Sequence, residues 1–232
     1  MLRFFLGSIF VFGLFIAQAQ VGLSGHYLSG QAEQWQYTAG SSSQASIDLP
    51  GTGWRAGIDY WFRLKNARIE FLPTLAYSRQ EQTITPDRLA LDTRTQGYHF
   101  FFTTHIYFLD LAGDCDCPTW SKEGPTLQKG IFLQISPGVS YFDYAITDRA
   151  TDTKTTFTAN DTAFSLGLGL GFDLGLSDFL TLTPQLGIRY YPTAKWASLS
   201  GEPGLTFPLG VEAKSQLLQY NLGLRLGFRI DR

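Results

Sequence analysis

The strictest constraint on this chain is an alternation of period two near its C-terminal end. From Leu218 to Ile230 the even positions are Leu218, Tyr220, Leu222, Leu224, Leu226, Phe228 and Ile230. The odd positions between them are Gln219, Asn221, Gly223, Arg225, Gly227 and Arg229. A helix would scatter these two sets around its axis, whereas a strand sends successive side chains to opposite faces. The segment from Phe164 to Leu174 behaves the same way. Phe164, Leu166, Leu168, Leu170, Phe172 and Leu174 face one side, and Ser165, Gly167, Gly169, Gly171 and Asp173 face the other. A soluble sandwich also alternates, so the minority face decides. Here it is glycine, serine and charge, as a narrow lumen requires, while the apolar face is continuous, as a wall against lipid requires.

Six further segments fit the pattern, over about 21–37, 53–64, 68–79, 95–109, 131–144 and 179–191. Each covers the ~9–11 residues with which a tilted strand crosses a bilayer. The expected fold is therefore all-β: an eight-stranded antiparallel up-and-down transmembrane β-barrel, closed because lipid tolerates no unpaired strand edge. The polar half of the first strand, Gln31 to Gln36, is expected to project beyond the membrane. Lys and Arg number 18 against 20 Asp and Glu with no basic cluster, which argues against a nucleic-acid partner. The expected partner is outer-membrane lipid.

Residues 1–19 stand apart from this pattern. Arg3 precedes an apolar run from Phe4 to Ala17, and Ala17-Gln18-Ala19 supplies small residues before a cleavage point. This reads as a secretory signal, with the barrel domain over 20–232.

Connections set the sidedness. Lys65-Asn66-Ala67 and Gly175-Leu176-Ser177-Asp178 are short, whereas 38–52, 80–94, 145–161 and 192–213 are long and polar. Outer-membrane barrels place short turns in the periplasm and long loops outside, which puts both termini in the periplasm. The connection from Asp110 to Lys129 breaks the rule by being long on the short-turn side. It is the expected docking element for a periplasmic or outer-membrane protein. It carries Cys115 and Cys117, a candidate disulfide in an oxidising envelope. A soft-metal site, intermolecular pairing and free thiols are the other readings of that pair.

The inward rows collect Arg55, Asp59, Arg63, Glu70, Asp173, Arg189 and Arg225. An eight-stranded barrel is just wide enough to be filled by side chains, and buried charges must pair. A salt-bridged polar plug is expected, with no cofactor. His26, His99 and His105 also point inward, with His99 and His105 too far apart along one strand to share a metal. Outward aromatics, among them Tyr60, Tyr77, Tyr98, Phe108, Tyr141, Tyr190 and Tyr220, read as interfacial girdles. Pro73, Pro137 and Pro184 recur at matching places on the lipid-facing row and suggest bulges or bends at one height around the barrel.

Eight alternating strands, polar loops and a last strand ending Gly223-Leu224-Arg225-Leu226-Gly227-Phe228-Arg229-Ile230 resemble the OmpA/OmpX-type small outer-membrane barrels. The Ala17-Gln18-Ala19-Gln20 junction and the final strand resemble those of Bacteroidota. The resemblance implies a barrel of the Gram-negative outer membrane. It implies no activity. The leading expectation is a non-enzymatic structural or adhesive protein, or a subunit of an envelope complex. A narrow pore is the alternative. A lipid-modifying enzyme ranks third, since no His-x-Ser pair lies near the outer rim of a lipid face.

Overall fold

The computed structural model describes residues 20–38, 46–64, 68–84, 91–108, 130–148, 155–177, 179–199 and 212–229. The segment 1–19, the connection 110–129 with Cys115 and Cys117, and the side chains of Arg63 and Arg229 lie outside the described residues. The strands are β1 (Gln20–Thr38), β2 (Ser46–Arg63), β3 (Ile69–Ile84), β4 (Leu91–Ile106), β5 (Ile131–Asp148), β6 (Thr155–Phe172), β7 (Leu174–Gly175), β8 (Leu180–Lys195) and β9 (Lys214–Arg229). The two-residue β7 continues β6 past Asp173 and pairs with β8. The wall therefore has eight crossings. A 3-10 turn, Ala197–Leu199, follows β8.

Every neighbouring pair is antiparallel. β1 bonds both β2 and β9, and β6 bonds both β5 and β8, so the sheet closes on itself. The expected all-β, eight-stranded up-and-down barrel is the observed fold. Closure matters physically because no strand edge is then left facing lipid with its backbone donors and acceptors unpaired.

Pro73 and Pro137 do not produce the bulges expected of them. Pairing of β2 with β3 lapses between Asp59↔Thr74 and Phe62↔Phe71 and resumes in the same register. Pairing of β4 with β5 likewise lapses between Phe101↔Gly138 and Thr104↔Ile135 without a shift. Each proline removes one donor and nothing more. Pro184 behaves likewise: its ladder with β9 is continuous there, but pairing of β8 with β6 and β7 lapses between Gly171↔Gln185 and Leu174↔Leu182 without a shift. True register shifts occur instead near the loop end, at Gln31/Gln36 and Tyr191/Ala194.

The strands run further toward the long loops than their apolar alternation does. On β6 the outward row reads Thr156, Thr158, Asn160 and Thr162, then turns apolar at Phe164, Leu166, Leu168 and Leu170, all exposed. On β5 the two rows exchange character together. Outward Leu133, Pro137 and Tyr141 give way to Asp143, while inward Gln134, Ser136 and Ser140 give way to Phe142, Tyr144 and Ile146. Below this level the barrel is polar inside and apolar outside; above it, the order is that of a water-soluble protein.

Aromatic residues mark the change. Tyr27↔Trp54, Tyr77↔Tyr98 and Tyr98↔Tyr141 are cross-strand partners. The Trp54 and Tyr77 rings lie 5.5 Å apart, and those of Tyr77 and Tyr98 lie 5.3 Å apart. A second belt of Tyr60, Phe62, Phe71 and Phe102 lies toward the end carrying Gln20 and Arg229, with successive centroids 6.2, 5.4 and 5.7 Å apart. From Trp54 to Phe62 a strand rising ~3.3 Å per residue at ~40° tilt spans about 20 Å of height, close to the ~25 Å apolar band of such barrels. These are the girdles expected from the sequence. Between them the exposed surface is leucine and aromatic, including Leu75, Phe100, Leu186, Leu222 and Leu224. A closed belt of that composition is solvated by lipid.

Candidate functional site

Among the described residues the interior is where the chemistry concentrates, and it has two storeys. The storey beyond the aromatic girdle is apolar. Trp35, Leu49, Phe142, Tyr144, Ile146, Tyr191, Trp196 and Leu199 fill it. Trp35 meets Tyr144 edge-on at 5.9 Å and Trp196 at 5.6 Å, while Tyr144 and Trp196 stack at 4.6 Å. The two indole N–H groups are satisfied, Trp35 Nε1 donating to the Glu212 carbonyl at 3.0 Å and Trp196 Nε1 to Ser198 Oγ at 2.9 Å. Sequence reasoning expected a polar plug throughout and missed this one. The signal was available in β5, where the parity that places Ser140 inside also places Phe142, Tyr144 and Ile146 inside.

The lipid-level storey is polar, and the residues expected to form one network divide into three groups. Arg225 and Asp59 form a bidentate ion pair, Nε to Oδ2 at 2.9 Å and Nη2 to Oδ1 at 2.6 Å. The pair fits because β1 crosses it with a glycine. A Cβ on Gly22 would lie 2.5 Å from Arg225 Nε, Arg225 Nη2 and Asp59 Oδ2. The lumen glycines are thus seats for large side chains. Gly223 serves His26 in the same way, and Gly171 serves Phe132.

Glu70 and Asp173 come together at the end carrying the termini. Trp61 Nε1 donates to Glu70 Oε2 at 2.6 Å, and the Tyr107 hydroxyl reaches the same oxygen at 2.7 Å. That hydroxyl also contacts Asp173 Oδ2, whose other oxygen accepts from Thr183 Oγ1 at 2.5 Å. Tyr107 has one proton for two carboxyl groups, so one of the two contacts takes its hydrogen from the carboxyl side. Arg68 lies over the Tyr107 ring with its guanidinium carbon 4.2 Å from the centroid. Trp61 and Tyr107 were not singled out from the sequence, although both lie on inward rows.

Arg55 and Arg189 are not joined to a carboxylate among the described residues. Arg189 donates through Nη1 to the Ser136 carbonyl at 3.0 Å and to Ser165 Oγ at 2.8 Å, and through Nη2 to Ser136 Oγ at 2.8 Å. Both arginines are held over Phe101, with the guanidinium carbon of Arg55 5.2 Å and that of Arg189 3.6 Å from its centroid. The expected salt-bridged network is therefore one ion pair, one carboxyl pair and two arginines on a phenyl ring. The charges are distributed this way because the acids come from chain positions near the termini end, while Arg55 and Arg189 sit higher in the bore.

The histidines are dispersed. His99 bridges Ser78 Oγ and Ser140 Oγ, each at 2.8 Å, and stacks on Phe101. His105 stacks on Phe132 at 3.9 Å, and His26 Nε2 lies 3.0 Å from Gln185 Nε2. Ser78 and His99 have the spacing of a nucleophile and base, but both are buried in the bore beneath the aromatic storey. Among the described residues no three His, Cys, Asp or Glu groups converge to hold a metal.

Residues 30–232 match the model of the autotransporter β-domain. The chain belongs to the autotransporter β-domain family. Among solved structures it is similar to Ail, the attachment invasion locus protein of Yersinia pestis, at 11% identity and TM-score 0.47, covering 91% of this chain and 99% of that one. It is also similar to the outer-membrane protease OmpT of Escherichia coli, at 8% identity and TM-score 0.45, covering 92% and 97%. The β-domain of the Bordetella autotransporter BrkA matches at 14% identity and TM-score 0.41, covering 92% and 71%. No curated protein matches the sequence.

Proposed function

We propose that this autotransporter β-domain is a non-enzymatic, non-conducting barrel of the Gram-negative outer membrane that presents a rigid structural or adhesive platform outside the cell. One observation carries the reading: the wall continues past its aromatic girdle and, beyond it, packs a core of Trp35, Tyr144 and Trp196 across the bore. A barrel built to pass solutes has no need of an apolar seal at the level where its outside turns polar. In this reading the end carrying Gln20 and Arg229 faces the periplasm. The connection 110–129, with its candidate disulfide Cys115–Cys117, docks an envelope partner there. The burial of Ser78 and His99 supports the absence of catalysis, because a substrate has no route to them past the seal.

The family match favours a second reading, in which the barrel passes a polypeptide or small solutes. That reading requires the aromatic seal and the Arg225–Asp59 pair to leave the bore. Single-channel recording of the refolded full chain in a planar bilayer, with Arg225→Ala alongside, separates the two. Silence from the wild type is expected. Reproducible conductance steps that change in Arg225→Ala would establish the pore instead.

A further inference from the structure

Between the ion pair and the aromatic seal lies a chamber of about 40 Å³. Arg55, Arg189 and Arg225 line it from the cationic side, and Asp59 is its one acid among the described residues. Asp59 is already held by both nitrogens of Arg225. With neutral histidines the lining therefore carries a net charge of two positive units, deep inside a protein wall. Arginine does not escape such a position by losing its proton. A buried charge without a partner is strongly unfavourable, and Phe101, against which both free arginines lie, offsets only part of it.

The arrangement of donors says what the chamber takes. We propose that it is a binding site for one small monovalent inorganic anion, a halide such as chloride, held between Arg55 and Arg189. Arg55 is 7% exposed and Arg189 is 3% exposed. Arg55 Nη1 and Arg189 Nε have no acceptor among the described residues. Both guanidinium groups lie against the Phe101 ring and both line the chamber, so a ligand within it faces the two cations together. A cavity of about 40 Å³ exceeds the ~10–15 Å³ that one water needs, so a halide fits it. Thr74 Oγ1 gives its proton to the Leu72 carbonyl, and Arg55 Nη1 and Arg189 Nε supply donors from which an anion would accept. The site is independent of whether the barrel conducts.

The test is reversible urea unfolding of the refolded full chain in detergent, at constant ionic strength, with chloride exchanged for gluconate. Once chloride exceeds its dissociation constant, the apparent unfolding constant should fall tenfold for each tenfold rise in chloride. Arg55→Met and Arg189→Met should abolish that dependence while leaving a folded barrel in gluconate. A chloride dependence that survives both substitutions would place the anion elsewhere and overturn the assignment. So would equal stability in chloride and gluconate, the result expected if water or an acidic side chain fills the chamber. Should the variants fail to fold, crystals of the wild type grown in bromide decide the matter. Anomalous scattering within hydrogen-bond reach of Arg55 Nη1 supports the site, and its absence there refutes it.

Discussion

Removing the Asp59 carboxylate should damage this barrel far more than removing the guanidinium it holds. Both side chains are almost wholly buried, at 3% and 8% exposure, with two hydrogen bonds between them. Breaking one partner of such a pair costs about 3–5 kcal/mol, chiefly because the other charge remains buried and unpaired. The surroundings make the two halves unequal. Asp59→Leu leaves Arg225 facing a chamber that Arg55 and Arg189 also line, so three cations confront one another and the loss should reach about 5 kcal/mol. Arg225→Met leaves Asp59 facing the two remaining arginines, which partly replace the lost partner, and about 1–3 kcal/mol is expected. The double variant, with no charge left at either position, should return to within about 2 kcal/mol of the wild type. Gly22→Ala should mimic the loss of the pair without touching either charge, because its methyl would sit 2.5 Å from three of the pair's polar atoms. Urea titration in phospholipid vesicles at fixed chloride, followed by tryptophan fluorescence, measures all four. Single-variant losses both under about 1 kcal/mol, or a greater loss for Arg225→Met than for Asp59→Leu, would refute the argument.

The level at which the wall leaves the bilayer can be located on one strand. Leu168→Arg should destabilise by about 2–4 kcal/mol, whereas Thr158→Arg on the same outward row should change stability by no more than about 0.5 kcal/mol. Equal losses in vesicle unfolding would mean that β6 crosses lipid along its whole length. Trp35→Ala should cost about 3–5 kcal/mol through the cavity left against Tyr144 and Trp196. It should also remove the near-ultraviolet circular dichroism of the stacked rings, and an unchanged spectrum would argue against a packed seal.

The lipid-level barrel was legible because one physical rule, apolar outward and mostly polar inward, governs the strands there, with Leu72, Phe101 and Phe132 as inward apolar exceptions. Phe164 to Leu170 and Tyr220 to Phe228 obey it without exception, and the parity of β9, β2 and β8 placed Arg225, Asp59 and Arg189 inside. The strand ends at the loop side were not legible by the same rule. Segments such as 155–163 and 46–52 are rich in threonine, asparagine, aspartate and serine, and read as loops when an apolar outward row is the criterion. They are strands whose outside meets water. The pairing of charges was illegible for a different reason. Parity says that a side chain enters the bore, but the shear of the sheet decides its height. Arg55 and Asp59 share a row on β2, yet Arg225 crosses to Asp59 while Arg55 rises to Phe101. Trp61 and Tyr107 went unnoticed because an aromatic ring on an inward row looks like filler until its N–H or O–H meets a carboxylate.

The seam between β1 and β9 sets terms for how this wall can be made. Thirteen consecutive residue pairs, from Gln20↔Arg229 to Ala32↔Leu217, join the first strand to the last. Their partners are separated by about two hundred residues of chain, the kind of long-range pairing that slows folding. The first strand to be synthesised therefore waits for the last with one flank unbonded. In lipid that flank would strand its amides and carbonyls, so β1 cannot settle in the bilayer ahead of β9. A chain cut just before Lys214 would leave two raw flanks, on β1 and on β8, instead of one missing plank. Assembly is consequently an all-or-nothing event at the seam, and loss of the final sixteen residues of the sheet is equivalent to loss of the barrel.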